Sequence, residues 1–539
     1  MNKIIFLKDI NYKGSNIGEE IYQFSDFYGK KKDLIKLLIF EKRDEFEFRT
    51  HDFYKTRWCS IYLFLLFFNR SRSKYIVDNI GTTNINLFFI IKFIINILGS
   101  ILIQITSFFI YFLFLFIILI VPKNKLKTIE IKSLIFYRTN PVFNLTAGGS
   151  LGHILGVING FLQNNINVSF IGIDKIIGIN ENIITKIIHP RKYLFSLPIF
   201  SSMETSIRNF LIIYNKKYFI DTDNTALYYR PTAFDISPLL LNIFYKTPLI
   251  VEFNSFLEWE EKNNGSISLL KIMFISFIEN LILRNASLIV CVSNELKNQL
   301  ITKGFSDKKL IYCSNGVDIN KFKSLEKNRD LIKHLNLANH KVIGFVGTFG
   351  PWHGIELLCE TISDFNKKNN HNKVKFLLVG DGSLRKFAED YLSAFENVIF
   401  TGKVSYQKIT DYLNLCDILI SPHKLPASEK AFIGSPTKLF EYLAMKKIVI
   451  GTDLGQIKEI ISPAINFKNS NKSIKINNLE VGIIADQASN SLVEAIEFSL
   501  DNHTKLEFLK ENSYLKVCNE YTWERKIKLL LKSFYESNQ

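Results

Sequence analysis

Lys438 and Glu441 stand three residues apart, just after the turn-prone lead-in Gly434-Ser435-Pro436-Thr437. The run Lys438-Leu439-Phe440-Glu441-Tyr442-Leu443 reads as an apolar helix, and Ile448–Thr452 follows as an extended segment. Loop, helix and strand in this order belong to a parallel α/β sheet. Proline suits the first helical turn because its missing N–H would have no partner there. The free N–H groups of such a turn, with the Lys438 ammonium, make a place for an anion such as a diphosphate. Glu441, one turn further, faces the same way. A carboxylate there repels phosphate and suits ribose hydroxyls as an acceptor. The stretch from Ser435 through Lys438, Leu439 and Glu441 therefore reads as a cradle for a nucleoside diphosphate.

Three other places carry chemistry. The run Pro248–Phe253 ends in polar Glu252 and Asn254, two residues apart and so on one side of a strand. Ligands of open parallel sheets bind beyond the carboxyl ends of strands, so the pair is placed to touch an acceptor. Gly148-Gly149, shortly before His153, lies at a strand-to-helix turn where backbone can approach a ligand. It is not Gly-x-Gly-x-x-Gly, and no dinucleotide fingerprint follows. A second strand, Val342–Val346, runs into the glycine-rich turn Gly347-Thr348-Phe349-Gly350-Pro351-Trp352-His353. No catalytic base can be named; Glu252, Asn254 and His153 are the candidates.

These turns need rigid elements behind them. From Lys132 onward the chain alternates strand and helix, and a Lys-, Asn- and Asp-rich stretch after Phe322 reads as a linker. Residues 130–325 are expected to form one Rossmann-like domain, 335–520 a second, and 521–539 a last helix. Residues 1–85 read as an α/β part of uncertain fold, with Ile4–Leu7, Ile35–Phe40 and Tyr75–Asp78 as candidate strands and Lys31–Leu38 as a candidate helix. Leu87–Val121 within 86–122 is almost wholly apolar, with Lys92 its one charge and Gly99-Ser100 and Gln104 near its middle. Each half is about 17 residues, roughly 25 Å as helix and just short of a bilayer core. Arg70, Arg72 and Lys74 before it and Lys123, Lys125 and Lys127 after it favour both ends on the cytoplasmic side. A tightly turned membrane hairpin fits this best, with one long tilted span as the competitor.

With 539 residues, 47% hydrophobic and 14% aromatic, the chain can bury two or three cores and is not disordered. The formal net charge of +16 suits an anionic partner. No basic block accompanies a nucleic-acid motif, so nucleic acid is not expected as a partner. Cys59, Cys291, Cys313, Cys359, Cys416 and Cys518 are scattered, without the close pairs of a zinc or redox site, and read as reduced core residues. The N-terminal apolar run is too short for a signal peptide and reads as a first strand.

The 435–442 stretch resembles the nucleotide-sugar motif of retaining glycosyltransferases of family 4, in the form Ser-Pro-x-Lys-x-x-Glu-Tyr. Further motifs agree in order: the Gly148-Gly149 loop, Glu252-x-Asn254, the Val292-Ser293 and Asn315-Gly316-Val317-Asp318 series, and Gly380-Asp381-Gly382. The resemblance runs from about Lys132 to Tyr535. It implies the α/β GT-B fold, two facing Rossmann-like domains, here with an apolar helical membrane segment inserted near the N-terminus. It implies the donor on the second domain and the acceptor on the first, near Gly148, Gly149, His153, Glu252 and Asn254. It also implies retention of anomeric configuration and no cofactor or obligatory metal; no Asp-x-Asp stands at a strand end to bind one. The family often has an arginine and a lysine in the 347–354 loop, where this chain has Thr348 and His353. Gly347, Thr348, His353 and Arg385 are then the further donor-site candidates. An acidic residue common eight places before Glu441 is Ile433 here, and Glu429 lies in the same loop.

The expected function is a membrane-associated transferase that moves a sugar from a nucleotide-diphosphate sugar to a lipid-linked or surface-polysaccharide acceptor. Its expected place is the cytoplasmic face of a bacterial inner or plasma membrane. The alternative is a catalytically weak, membrane-tethered binding or scaffold protein of the same fold. An epimerase of similar fold is disfavoured, because no paired carboxylates stand ready for proton abstraction.

Overall fold

A computed structural model describes residues 3–8, 19–27, 30–50, 52–53, 56, 59–121, 129–140, 145, 148–191, 200–216, 224–263, 268–368, 373–426, 429, 431–467 and 476–537. The chain divides into two compact units: residues 1–124, 188–220 and 232–245, and residues 125–187, 221–231 and 246–539.

The first unit holds a five-stranded sheet in the order β2-β1-β3-β4-β5. Its strands are β1 (Lys3–Lys8), β2 (Glu19–Gln23), β3 (Glu45–Thr50), β4 (Ser73–Asp78) and β5 (Gly81–Asn84). All pairings are parallel except β4 with β5. Ile4–Leu7 and Tyr75–Asp78 thus lie in strands, while Ile35–Phe40 belongs to the helix Lys31–Phe40. Ile4, Phe6, Phe46 and Phe48 pack beneath the helix Cys59–Phe67 through Tyr62 and Leu63.

The apolar stretch is one continuous helix, Leu87–Ile120, and not a hairpin. A mid-helix glycine costs only about 1 kcal/mol against alanine, and the run has no proline, so Gly99-Ser100 cannot break it. Its first turn is capped by Asn86, whose side chain accepts from the Phe89 N–H at 2.8 Å. Phe93, Gln104, Tyr111, Leu115 and Ile118 form its buried stripe. Against it lie the helices Ser201–Asn215 and Ser237–Tyr245, with Phe108 on Phe200 and Phe114 on Phe210. Much of the rest of its surface is exposed and apolar, including Leu98, Leu102, Phe109 and Leu113. Lys123, Lys125 and Lys127 lie outside the described residues.

The second unit contains two seven-stranded, all-parallel sheets. The first has the order β12-β11-β10-β9-β6-β7-β8, with β6 (Ser133–Arg138), β7 (Asn167–Gly172), β8 (Ile184–Ile187), β9 (Thr225–Tyr229), β10 (Leu249–Phe253), β11 (Leu288–Cys291) and β12 (Leu310–Tyr312). The second has the order β15-β14-β13-β16-β17-β19-β18. Its strands are β13 (Lys341–Val346), β14 (Val374–Val379), β15 (Val398–Gly402), β16 (Ile418–Ser421), β17 (Ile448–Thr452), β18 (Ala464–Phe467) and β19 (Gly482–Ala485). Strands buried on both faces read as unbroken apolar runs, as β10 and β17 do. In each sheet the order reverses beside the first strand, between β6 and β9 and between β13 and β16. That switch point is where an open α/β sheet leaves a crevice for a ligand.

The last helix, Trp523–Ser537, returns to the first of these sheets and packs on the helix Gly149–Gln163. Glycine is required at 156, because a Cβ there would lie 2.0 Å from Trp523 Nε1. Five of the six cysteines are buried and Cys518 is half-buried, all as free thiols.

Candidate functional site

A cavity of about 700 Å³ opens between the two halves of the second unit. The turn after β6 contributes Gly148, Gly149 and Ser150. From the other half come the turn after β13, the turn after β14 and the start of the helix Thr437–Ala444. Of the donor-site candidates, Gly347, Thr348, His353, Ser435, Lys438 and Glu441 line it. Leu439 does not: its side chain is fully buried in the core, and its N–H is bonded to the Pro436 carbonyl at 3.0 Å. Arg385 does not line it either, since its guanidinium is held by Glu389 at 2.8 Å and Asp381 at 3.5 Å. Glu429 accepts from Trp259 Nε1 at 2.6 Å and is not among the lining residues. The Ile433 carbonyl accepts from Ser293 Oγ at 2.8 Å.

Lys438 reaches the cavity across Gly347, where a Cβ would stand 2.6 Å from its Nζ. A side chain at 347 would make the lysine's end shift. The ammonium lies 4.2 Å from the centre of the Phe345 ring and 3.3 Å from His353 Nδ1. Burial pushes Lys438 down to about 7, against the pull of Glu441. Burial also pushes Glu441 up to about 7, against the charges of Lys321 and Lys438. Lys321, itself lowered by burial to about 8, sits over the Tyr406 ring. The lysine and the glutamate are thus poised between charge states, and a diphosphate beside them would favour the lysine's charged form.

On the other side, the Glu252 carboxylate is bound three ways. It meets His153 Nε2 at 2.8 Å and accepts from the Tyr228 hydroxyl at 2.5 Å and from Asn254 Nδ2 at 2.5 Å. Burial works against its charge, but His153 and the hydrogen bonds outweigh burial and hold it at about 2. His153 and Glu252 border a smaller recess of about 100 Å³ with Arg138, Arg230 and Ser150. Among the described residues, the Asn254 side chain bonds to Glu252.

Asn315 joins the two groups. Its Oδ1 faces His153 Nδ1 at 2.9 Å, and its Nδ2 donates to the Ser435 carbonyl at 2.7 Å and to Thr437 Oγ1 at 3.2 Å. Its backbone N–H donates to Ser435 Oγ at 3.0 Å. The sequence marks Asn315 through the Asn315-Gly316-Val317-Asp318 series, but its partners across the cleft depend on how the halves meet. Tyr406, Lys321 and His423 were missed for the same reason. Thr437, adjacent to Lys438, was legible as a first-turn hydroxyl.

Residues 340–502 match the family described as Glycosyl transferases group 1. The chain is 26% identical over 244 residues to an uncharacterised glycosyltransferase of Methanocaldococcus jannaschii, MJ1178, covering 45% of this chain and 57% of the relative. It is 25% identical over 293 residues to TuaH of Bacillus subtilis, a glycosyltransferase provisionally assigned to teichuronic acid biosynthesis, covering 49% of this chain and 72% of TuaH. The crystal structure of Anabaena HepE in complex with UDP and glucose superposes with a TM-score of 0.54 at 16% identity, over 75% of this chain and 100% of HepE. The chain carries a glycosyl transferases group 1 domain, set in the GT-B fold.

Proposed function

We propose that the protein is a retaining glycosyltransferase that takes its sugar from a nucleotide-diphosphate sugar. The observation that carries this reading is the cavity in which Lys438, Glu441 and His353 of one half face Gly149 of the other. The diphosphate lies against Lys438 and the start of the helix Thr437–Ala444, and Glu441 takes the ribose hydroxyls. As the glycosidic bond breaks, negative charge grows on the diphosphate. A lysine and fixed dipoles already in place stabilise it without reorganising. In this reading they supply the counter-charge, with no obligatory metal. Glu252 and His153 border the acceptor recess and orient the incoming hydroxyl. Names of similar proteins that include UDP, glucose and teichuronic acid biosynthesis support this reading.

The acceptor in this proposal is a lipid-linked or surface-polysaccharide precursor, and the protein works at the cytoplasmic face of a bacterial membrane. Support comes from the exposed apolar surface of Leu87–Ile120, a helix long and apolar enough to cross a bilayer, and from Arg70, Arg72 and Lys74 before it. The test is to supply radiolabelled nucleotide sugars with membrane extract and to read product anomers by NMR. Transfer with inversion would remove the retaining assignment. No transfer and no nucleotide binding would leave the scaffold reading.

A further inference from the structure

The helix Leu87–Ile120 has 34 residues, about 51 Å, and protein packs against one side of it near both ends. Its buried stripe begins at Phe93, in the core of the five-stranded sheet, and continues through Gln104, Tyr111, Leu115 and Ile118. Past its middle, Phe114 meets Phe210 of the helix Ser201–Asn215, and the helix Ser237–Tyr245 also packs on it. Ile91, Leu98, Leu102, Phe109, Leu113 and Phe116 are exposed. At 3.6 residues per turn these six share a band about 60° wide, opposite Gln104.

We propose, resting on the membrane attachment above, that this helix lies in the plane of the membrane, sunk by that band into one leaflet, and does not cross it. A crossing helix would carry its packed neighbours into the hydrocarbon. Ser201–Asn215 and Ser237–Tyr245 have 15 and 9 residues, about 22 and 13 Å, short of a core about 30 Å thick. Their ends would leave backbone N–H and C=O groups in lipid with no water to meet them. Charge packs there too: Glu204 of the first meets Arg191 at 3.2 Å. At the other end Phe93 shares a core with β1 and β3, strands that carry the ion pairs of Glu47 with Lys3 and Arg49. Charged groups at bilayer depth are costly. A helix lying flat keeps all of these on the water side of the interface. It also satisfies the basic residues before and after it, Arg70, Arg72 and Lys74 and then Lys123, Lys125 and Lys127, which favour one side for both ends. An unbroken helix meets that demand only by not crossing.

A second copy of the chain is the other cover for an apolar helix face. A seam between paired helices is narrow and edged with charge. Here the band runs on sideways into exposed Ile94, Phe112 and Leu119, and the helix has no acidic residue. Its one charge, Lys92, is exposed and reaches the headgroups along its apolar stem. A wide apolar face with a single cation suits an anionic lipid surface, which such a helix enters by about 5–10 Å.

Spin labels test this in the full chain bound to vesicles of phosphatidylglycerol and phosphatidylcholine. Ile91→Cys, Leu102→Cys and Phe116→Cys are labelled one at a time in a Cys518→Ser background, since the other five cysteines are buried. Label depth is read from the contrast between relaxation by oxygen and by a nickel chelate. The three depths should agree within about 5 Å, one helical turn. A larger spread, above all Leu102 deeper than both others by about 15 Å as in a span, would overturn the in-plane helix and leave membrane attachment standing. Wild-type protein that fails to float with the vesicles would overturn both, and a dimer joined through this face would then be its cover. A thermal melt checks each variant, and Leu98→Cys or Leu113→Cys replaces one that does not fold.

Discussion

His153 Nε2 and Glu252 Oε2 are 2.8 Å apart, at the carboxyl end of the sheet's central strands. The carboxylate is fully buried, yet its partners keep it ionised down to about pH 2. A folded-state value below the ordinary 4.5 means that this contribution to stability is present above about pH 4.5 and is lost as pH falls toward 2. Glu252→Gln should therefore flatten the acid limb of an unfolding-versus-pH curve. It should also cut transfer by about a hundredfold while leaving UDP affinity unchanged, because Glu252 does not line the donor cavity. Weakened UDP binding in this variant would count against the division of roles.

Glu441→Ala should weaken nucleotide-sugar binding by about tenfold to a hundredfold with the fold intact, through loss of charged hydrogen bonds to ribose. Calorimetry with the donor, beside a thermal melt, reads both. Unchanged affinity would remove Glu441 from the site.

The pH dependence of donor binding follows from Lys438 and Glu441, each near 7. Binding needs the lysine charged, which fails as pH rises past 7. It is helped by the glutamate ionised, which fails as pH falls below 7. Affinity should pass through a maximum near neutrality. Lys438→Met should abolish the alkaline limb and Glu441→Gln the acid limb, as titrations across pH would show.

Gly156→Ala sets a methyl group where Trp523 Nε1 now lies. The last helix must shift, at a cost of about 1–3 kcal/mol for an overpacked contact. A lower melting temperature is expected, together with reduced affinity between a tagged C-terminal helix and the rest after proteolytic nicking. An unchanged melt would show that the groove has slack.

Phe109→Arg with Leu113→Arg places two charges on the exposed face of the long helix, away from its buried stripe. Wild-type protein should stay with membranes after a carbonate wash. The double variant should be partly released, with UDP binding retained, since charge at a bilayer centre costs about 2.5–3.5 kcal/mol per residue. Equal retention would place the attachment elsewhere.

The sequence made the second half of the site legible because its chemistry is local: Ser435, Lys438 and Glu441 lie on one helix start, and Gly347 and His353 on one turn. Spacing alone puts them on one side. The first half was readable only as Glu252 and His153 separately, because their pairing joins a strand end to a helix 99 residues earlier. Asn315 and His423 were invisible as partners, since Asn315 meets residues 120 or more positions away and His423 meets His353 from 70 positions away. The hairpin expectation failed for another reason. A glycine and a serine were given the weight of a break, although neither removes a backbone hydrogen bond. Leu439 and Arg385 show the reverse, positions singled out by sequence that do not line the cavity.

Three hydrogen bonds from Asn315 hold the Ser435 segment and Thr437 across the cleft. In the proposed transferase, where this segment meets the sugar, its loss of freedom is settled once, when the chain folds, and not again at each encounter. Donor selection then falls to the shape and polarity of a standing mould, and a poorly matching sugar gains nothing from rearrangement.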